Sequence, residues 1–173
     1  MFDLKKATEV LERTPVILEH LLNDLSSQWI LTNEGPGTWS PYDILGHLIH
    51  GEKTDWIPRM LIILSNDGSK TFTPFDRFAQ EKASEGKSIN DLLTDFKTLR
   101  AANLTTLRKQ NISAEDLTKT GRHPDFGEVT LAQLLATWTV HDLNHLSQIS
   151  RVMASQYSSD VGPWIQYLKI LRG

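Results

Sequence analysis

The chain has 173 residues, enough for one domain with a full core, and its 39% hydrophobic and 23% charged residues place it among soluble globular proteins. A formal net charge of -3 without a basic run argues against a duplex-DNA binder that works by neutralising phosphates. With no cysteine in the chain, disulfides, thiolate metal ligands and a cysteine nucleophile are excluded. Any metal must be held by His, Asp or Glu, and any thiol chemistry must use a thiol from outside.

The opening residues Met1 to Lys6 run straight into a helical pattern. No signal peptide and no apolar run of membrane-spanning length is visible, so a cytoplasmic protein is expected. Apolar residues from Leu4 to Leu25 recur at helical spacing over 3–28. Thr14-Pro15 reads as a kink or as the junction of two helices, and His20, alone in this stretch, as a surface histidine. Residues 29–39 read as a loop. Ser40-Pro41-Tyr42-Asp43 is a strong helix start, with serine as N-cap, proline at N1 and an acid at N3. That helix is predicted to run to about Asn66, kinked by Pro58, and to end at Asp67-Gly68-Ser69. Residues 70–87, with Phe72, Phe75 and Phe78 interleaved among polar residues, read as a long crossover holding one short helix. Ser88, with Asp91 at N3, caps a helix over 89–110. Ser113 to Asp116 looks like another short helical start, and 119–129 like a loop with a brief β-like turn at Phe126-Gly127. Thr130 and Gln133 form a capping box that opens a long helix over Leu131 to Val152. After a break at Ser158 to Gly162, Pro163 starts a C-terminal helix. Four long helical patterns and no convincing strand predict one all-α domain over 1–173, a four-helix bundle with a long crossover connection.

The chemistry concentrates in the long helix from Leu131. At about 100° per residue, Leu134, Trp138, His141, His145, Ile149 and Val152 share one side. His141 and His145 therefore sit one above the other in the face that should be buried. Each imidazole brings a donor and an acceptor that must be satisfied, and a metal ion satisfies both rings at once. Third-ligand candidates are His47, His50 and Glu52 on the second helix and His123 in the loop. His47 is preferred, because it lies near the apolar side marked by Ile44 and Leu48; His50 and Glu52 become nearby groups. Three histidines with Zn²⁺, Ni²⁺ or a similar ion leave coordination positions open, the pattern of a reactive site. Spacing alone leaves open a buried pair hydrogen-bonded to Asp142, Asn144 or neighbouring helices. Trp39, Trp56 and Trp138 are candidates to wall a pocket, Trp138 first, although aromatics at helical spacing are commonly core.

Three segments carry a family resemblance: Trp39 to Glu52, with W-x7-H-L ending at His47-Leu48; His123 to Leu131; and Ala136 to Ile149, with W-x2-H-D-x-N-H-L from Trp138. In this order, and over most of the chain, they resemble the DinB/YfiT-like superfamily. The resemblance implies a four-helix bundle with a crossover and a divalent metal held by three histidines, at His47, His141 and His145. It also implies a homodimer and, for some members, transferase or isomerase activity that uses a low-molecular-weight thiol. No nucleic-acid or membrane partner is expected.

The function expected from the sequence is that of a metal-dependent enzyme acting on a small molecule, with thiol-dependent S-transfer ahead of hydrolysis. The metal would lower the pKa of a bound water or hold an incoming thiol as thiolate. His50 and Glu52 are the expected catalytic proton acceptors, with Asp142 as a further candidate. The competing reading is a non-catalytic metal-binding or stress-related regulatory bundle.

Overall fold

The computed structural model describes residues 2–66, 68–76 and 78–172; Met1 and Asp67, named in the readings above, lie outside them. Its main chain is a four-helix bundle whose first two limbs are each broken once. The first limb is α1 (Leu4–Leu11) and α2 (Thr14–Leu22). The second is α4 (Pro41–Thr54) and α5 (Trp56–Leu64), and between the two limbs lies a short α3 (Ser27–Leu31). After the crossover, which holds α6 (Ala79–Ser84), come the two unbroken limbs, α7 (Ile89–Lys109) and α8 (Leu131–Ser155).

Both breaks follow from proline. Pro15 has no N–H to give the carbonyl of Leu11, and Pro58 none to give that of Thr54. The chain leaves helical pairing at those carbonyls, so the second break falls at Asp55, one turn before the proline and not at it. The three N-terminal boxes form as their sequences predict: Ser40 with Asp43, Ser88 with Asp91 and Thr130 with Gln133 each exchange side-chain and backbone hydrogen bonds.

Three local expectations change. The stretch 29–39, read as a loop, begins inside α3, with Ile30 buried. The 119–129 loop is a β-hairpin, β1 (Thr120–His123) against β2 (Gly127–Thr130). Its three-residue connection leads into Gly127, the first residue of β2, at φ +71°, a conformation that favours glycine. The C-terminal helix is not α-helical. It forms 3-10 turns at Gly162–Tyr167 and Lys169–Leu171, leaving Trp164 and Tyr167 exposed, because nine residues without a buried stripe do not hold an α-helix.

The hairpin pins the crossover. Phe72 N–H donates to the Arg122 carbonyl at 2.9 Å and Arg122 N–H to the Lys70 carbonyl at 2.8 Å, so the crossover runs beside β1 and buries Phe72.

The core is in two halves. One gathers Leu11, Met60, Ile63, Leu104, Leu135 and Trp138; the other gathers Leu18, Leu22, Ile44, Phe96, Ile149 and Val152. On α4, α7 and α8, polar residues occupy the level between them: His47 and Glu52, then Arg100 and Asn103, then His141, Asp142 and His145. The candidate site lies in that layer.

A three-histidine candidate metal centre

Helix α4 supplies His47, and α8 supplies His141 and His145 from adjacent turns. Their Nε2 atoms converge: His141 Nε2 is 3.0 Å from His47 Nε2 and 3.1 Å from His145 Nε2, and one ligand atom from each ring lies within 4.8 Å of the others. Tetrahedral Zn–N bonds of about 2.0–2.1 Å put ligand nitrogens about 3.3 Å apart, so the spacing suits one divalent ion. The tautomers suit it as well. Gln148 Oε1 accepts from His145 Nδ1 at 2.7 Å, which puts the ring proton on Nδ1 and leaves Nε2 as a bare donor atom facing the cluster. Among the described residues, His141 Nδ1 is buried without a hydrogen-bond partner; with metal at Nε2 it would carry the ring proton.

Burial also keeps the two α8 rings neutral. It pushes His141 down to about 3, helped by His145, His47 and the charge of Arg100, and it pushes His145 below the usual histidine range. Neutral imidazole is the form that binds metal.

The three rings border a cleft of about 700 Å³. Trp39 packs on His47 at 4.9 Å and Trp56 on His141 at 5.1 Å. Both tryptophans line the cleft, whereas Trp138, the first pocket candidate from sequence, does not. It is fully buried, stacks on Trp56 and donates from Nε1 to Glu52 at 2.9 Å. Trp138 shares a side of α8 with His145 but lies two turns earlier, at the level where Trp56 and Glu52 cover it.

Neither expected proton acceptor borders the cleft. His50 packs its ring on Phe75 at 4.7 Å, outside the lining. The Glu52 carboxylate is sealed in the polar layer, where it accepts from Arg100 Nη2 at 2.8 Å, Asn103 Nδ2 at 2.9 Å and Trp138 Nε1. Asp142 has no exposure and turns from the histidines to α7, where Arg100 binds both of its oxygens at 2.6 and 3.0 Å. His123 does border the cleft, from the tip of the hairpin.

Asp55, Arg59, Arg100, Asn103 and Gln148 are site residues that no motif in the sequence singles out. A signal existed for the arginines. Arg59 is the one charge in the apolar run Trp56–Leu64, and Arg100 occupies the seam position one turn after Phe96. Asp55 and Arg59 line the cleft together and pair at 2.9 Å. Burial pushes the Asp55 carboxyl up to about 6 against the opposing pull of Arg59.

Among solved structures, the fold is similar to YfiT from Bacillus subtilis, described as a probable metal-dependent hydrolase with an unusual four-helix bundle topology. That match has a TM-score of 0.72 and 20% identity, covering 90% of this chain and 87% of that one. TT2238, described as a four-helix bundle protein, matches with a TM-score of 0.56 and 20% identity over 86% of this chain and 98% of that one. At such identity these likenesses speak to the fold. No curated protein sequence matches the chain. The family model described as the DinB superfamily matches residues 10–149, across all four limbs and all three histidines, and the chain belongs to that superfamily.

Proposed function

We propose that this protein is a metal-dependent hydrolase of a small molecule bound in the cleft. The observation that carries the reading is the convergence of three Nε2 atoms, from residues 94 and 98 positions apart in the chain, on one point beside an open cleft. Three protein ligands leave a position for water or substrate, the mark of a catalytic and not a structural site. A divalent ion there would supply Lewis acidity, polarising a substrate carbonyl and making water a nucleophile near neutral pH. His145 is held in its ligating tautomer by Gln148. Asp55, its carboxyl raised by burial to about 6, is the proton-handling group we assign to the cleft. Trp39 and Trp56 exclude water from one side and give an apolar substrate a surface. The description of YfiT as a probable metal-dependent hydrolase supports the reading.

The test begins with elemental analysis of protein purified without a histidine tag. About one Zn or Ni per chain is expected, and loss of it in His47→Ala, His141→Ala and His145→Ala. The loaded protein is then assayed on esters and amides, with and without an added low-molecular-weight thiol. Turnover without thiol, lowered about 10²-fold by Asp55→Asn, supports hydrolysis. Turnover only with thiol would replace hydrolysis by the thiol-dependent transfer expected from the sequence. Failure to take up any metal would overturn both.

A further inference from the structure

We infer that Arg59 and His123 form a recognition site for a carboxylate group of the substrate. The inference rests on reading the cleft as a substrate cleft, and it adds the chemical class that enters it. Three observations carry it.

The first is the arginine. Arg59 is 7% exposed, yet it borders the cleft. Its Nη2 meets Asp55 Oδ1 at 2.9 Å and the Thr73 carbonyl at 3.5 Å, and its guanidinium lies over the Phe72 ring at 5.3 Å. Among the described residues its Nε has no hydrogen-bond partner. A guanidinium offers a planar fork of donors suited to a carboxylate, and this one is only partly used.

The second is the histidine. His123 Nδ1 accepts from the backbone N–H of Asp125 at 3.1 Å and of Phe126 at 3.4 Å. With Nδ1 as acceptor, the proton of the neutral ring belongs to Nε2. The hairpin tip thus presents a donor of set identity at the edge of the cleft. Phe72 links the two groups: the His123 ring stands perpendicular to it at 6.2 Å, while Arg59 covers its face.

The third is charge and surroundings. Asp55 and Asp125 border the cleft along with Arg59, and Arg59 is already paired with Asp55, so a dianion such as phosphate would be repelled more strongly than a monoanion that needs only one fork of donors. Trp39, Trp56, Phe75 and Phe126 supply apolar lining. The substrate that fits is a monocarboxylate with an aryl or similarly apolar body, anchored at Arg59 and His123 so that its reacting group lies at the three histidines.

The competing role for Arg59 is a clamp that holds Thr73 and the crossover. Binding to metal-free protein, followed by tryptophan fluorescence, separates the two. The probes are 3-phenylpropionate and its neutral counterpart 3-phenylpropionamide. The wild type is expected to prefer the carboxylate about tenfold or more. The preference should fall to near one in Arg59→Gln and be partial in Arg59→Lys. It should also weaken in His123→Asn, which keeps a side-chain oxygen for the Asp125 and Phe126 N–H groups but loses the Nε2 donor. Arg151→Gln, which removes an exposed ion pair with Glu34, should leave it unchanged. Circular dichroism and melting confirm that each variant folds; if Arg59→Gln does not, the lysine and asparagine variants carry the test. Equal affinity for both probes, no saturable binding of either, a preference that survives in folded Arg59→Gln or stays at the wild-type level in folded Arg59→Lys, or one that appears only after metal is added would each overturn the inference. Carboxylate preference without hydrolysis by the loaded protein would overturn the proposed function and leave this site standing.

Discussion

Arg100 ties all four limbs of the bundle at one level. From α7 its guanidinium reaches the Leu11 carbonyl at the end of α1, Glu52 on α4 and Asp142 on α8. The Leu11 carbonyl is the one that Pro15 leaves without its helical N–H, so a side chain from another limb closes the gap made by the proline. Burial opposes the arginine's charge, but Asp142 and Glu52 outweigh it and push its pKa up. Removing one member of such a cluster leaves the others charged and uncompensated in the core. Arg100→Met should therefore lose about 3–5 kcal/mol, read as a lower urea midpoint. His141 gives a pH dependence of definite sign. In metal-free protein it resists protonation down to about 3, whereas the unfolded chain takes the proton at about 6.5. Unfolding then takes up a proton between those values, so the contribution present above pH 6.5 is lost as pH falls, about 1.4 kcal/mol by pH 5.5. Asp55, whose folded pKa is raised to about 6, acts in the opposite direction over nearly the same range. Chemical denaturation at pH 7.5 and 5.5 in a chelator should show a fall in stability that is smaller in His141→Asn by about that amount.

At the level of elements, the hairpin β1–β2 decides the shape of the cleft although it is eight residues of strand. It carries His123, pairs with the crossover at Arg122 and buries Gly121 against α5. A methyl group added at Gly121 would come within 2.6 Å of Phe72 Cε1 and 2.8 Å of Ile63 Cγ1. Both neighbours are buried core side chains with no free end to move. Gly121→Ala should cost about 1–3 kcal/mol by overpacking, measured by thermal melting, whereas Gly127, with open space around its added carbon, is constrained only by its positive φ. The hairpin was hidden in sequence because strands of four residues are too short to show alternation above the background. The helix starts were visible because capping boxes are local, written within four residues and satisfied there. The C-terminal segment shows the reverse error: proline and scattered apolar residues look like a helix, but without a surface to bury them the chain adopts 3-10 turns.

For the whole molecule, the bundle consists of two apolar halves with a polar layer between them. Metal bound by His47, His141 and His145 would tie α4 to α8 across that layer, and such binding is unavailable to the unfolded chain. At free metal about 100 times its dissociation constant, mass action adds about 2.7 kcal/mol, which for a chain of this size is roughly a 5–10 °C rise in Tm. Melting with and without added Zn²⁺ should show it in the wild type and not in His141→Ala. Among the described residues no helix is long and apolar enough to cross a membrane.

The sequence by itself determined the helical limbs, their caps and proline breaks, and the pairing of His141 with His145 on one face, because these depend on residues within a turn or two of each other. His47 could be preferred as their partner from its apolar side of α4. What tertiary structure alone decided is where each polar side chain ends. Glu52 and Asp142 lie within five residues or one residue of a cluster histidine, and both read as neighbours of the metal. Packing turns them to Arg100, whose position on α7 no local pattern connects to them. Asp55 and Arg59 reach the cleft only because the α4–α5 break redirects the chain, and His123 only because a hairpin folds back over the crossover. Periodicity assigns a residue to a face of its own helix; which limb meets that face, and at what level, is set by how the limbs pack.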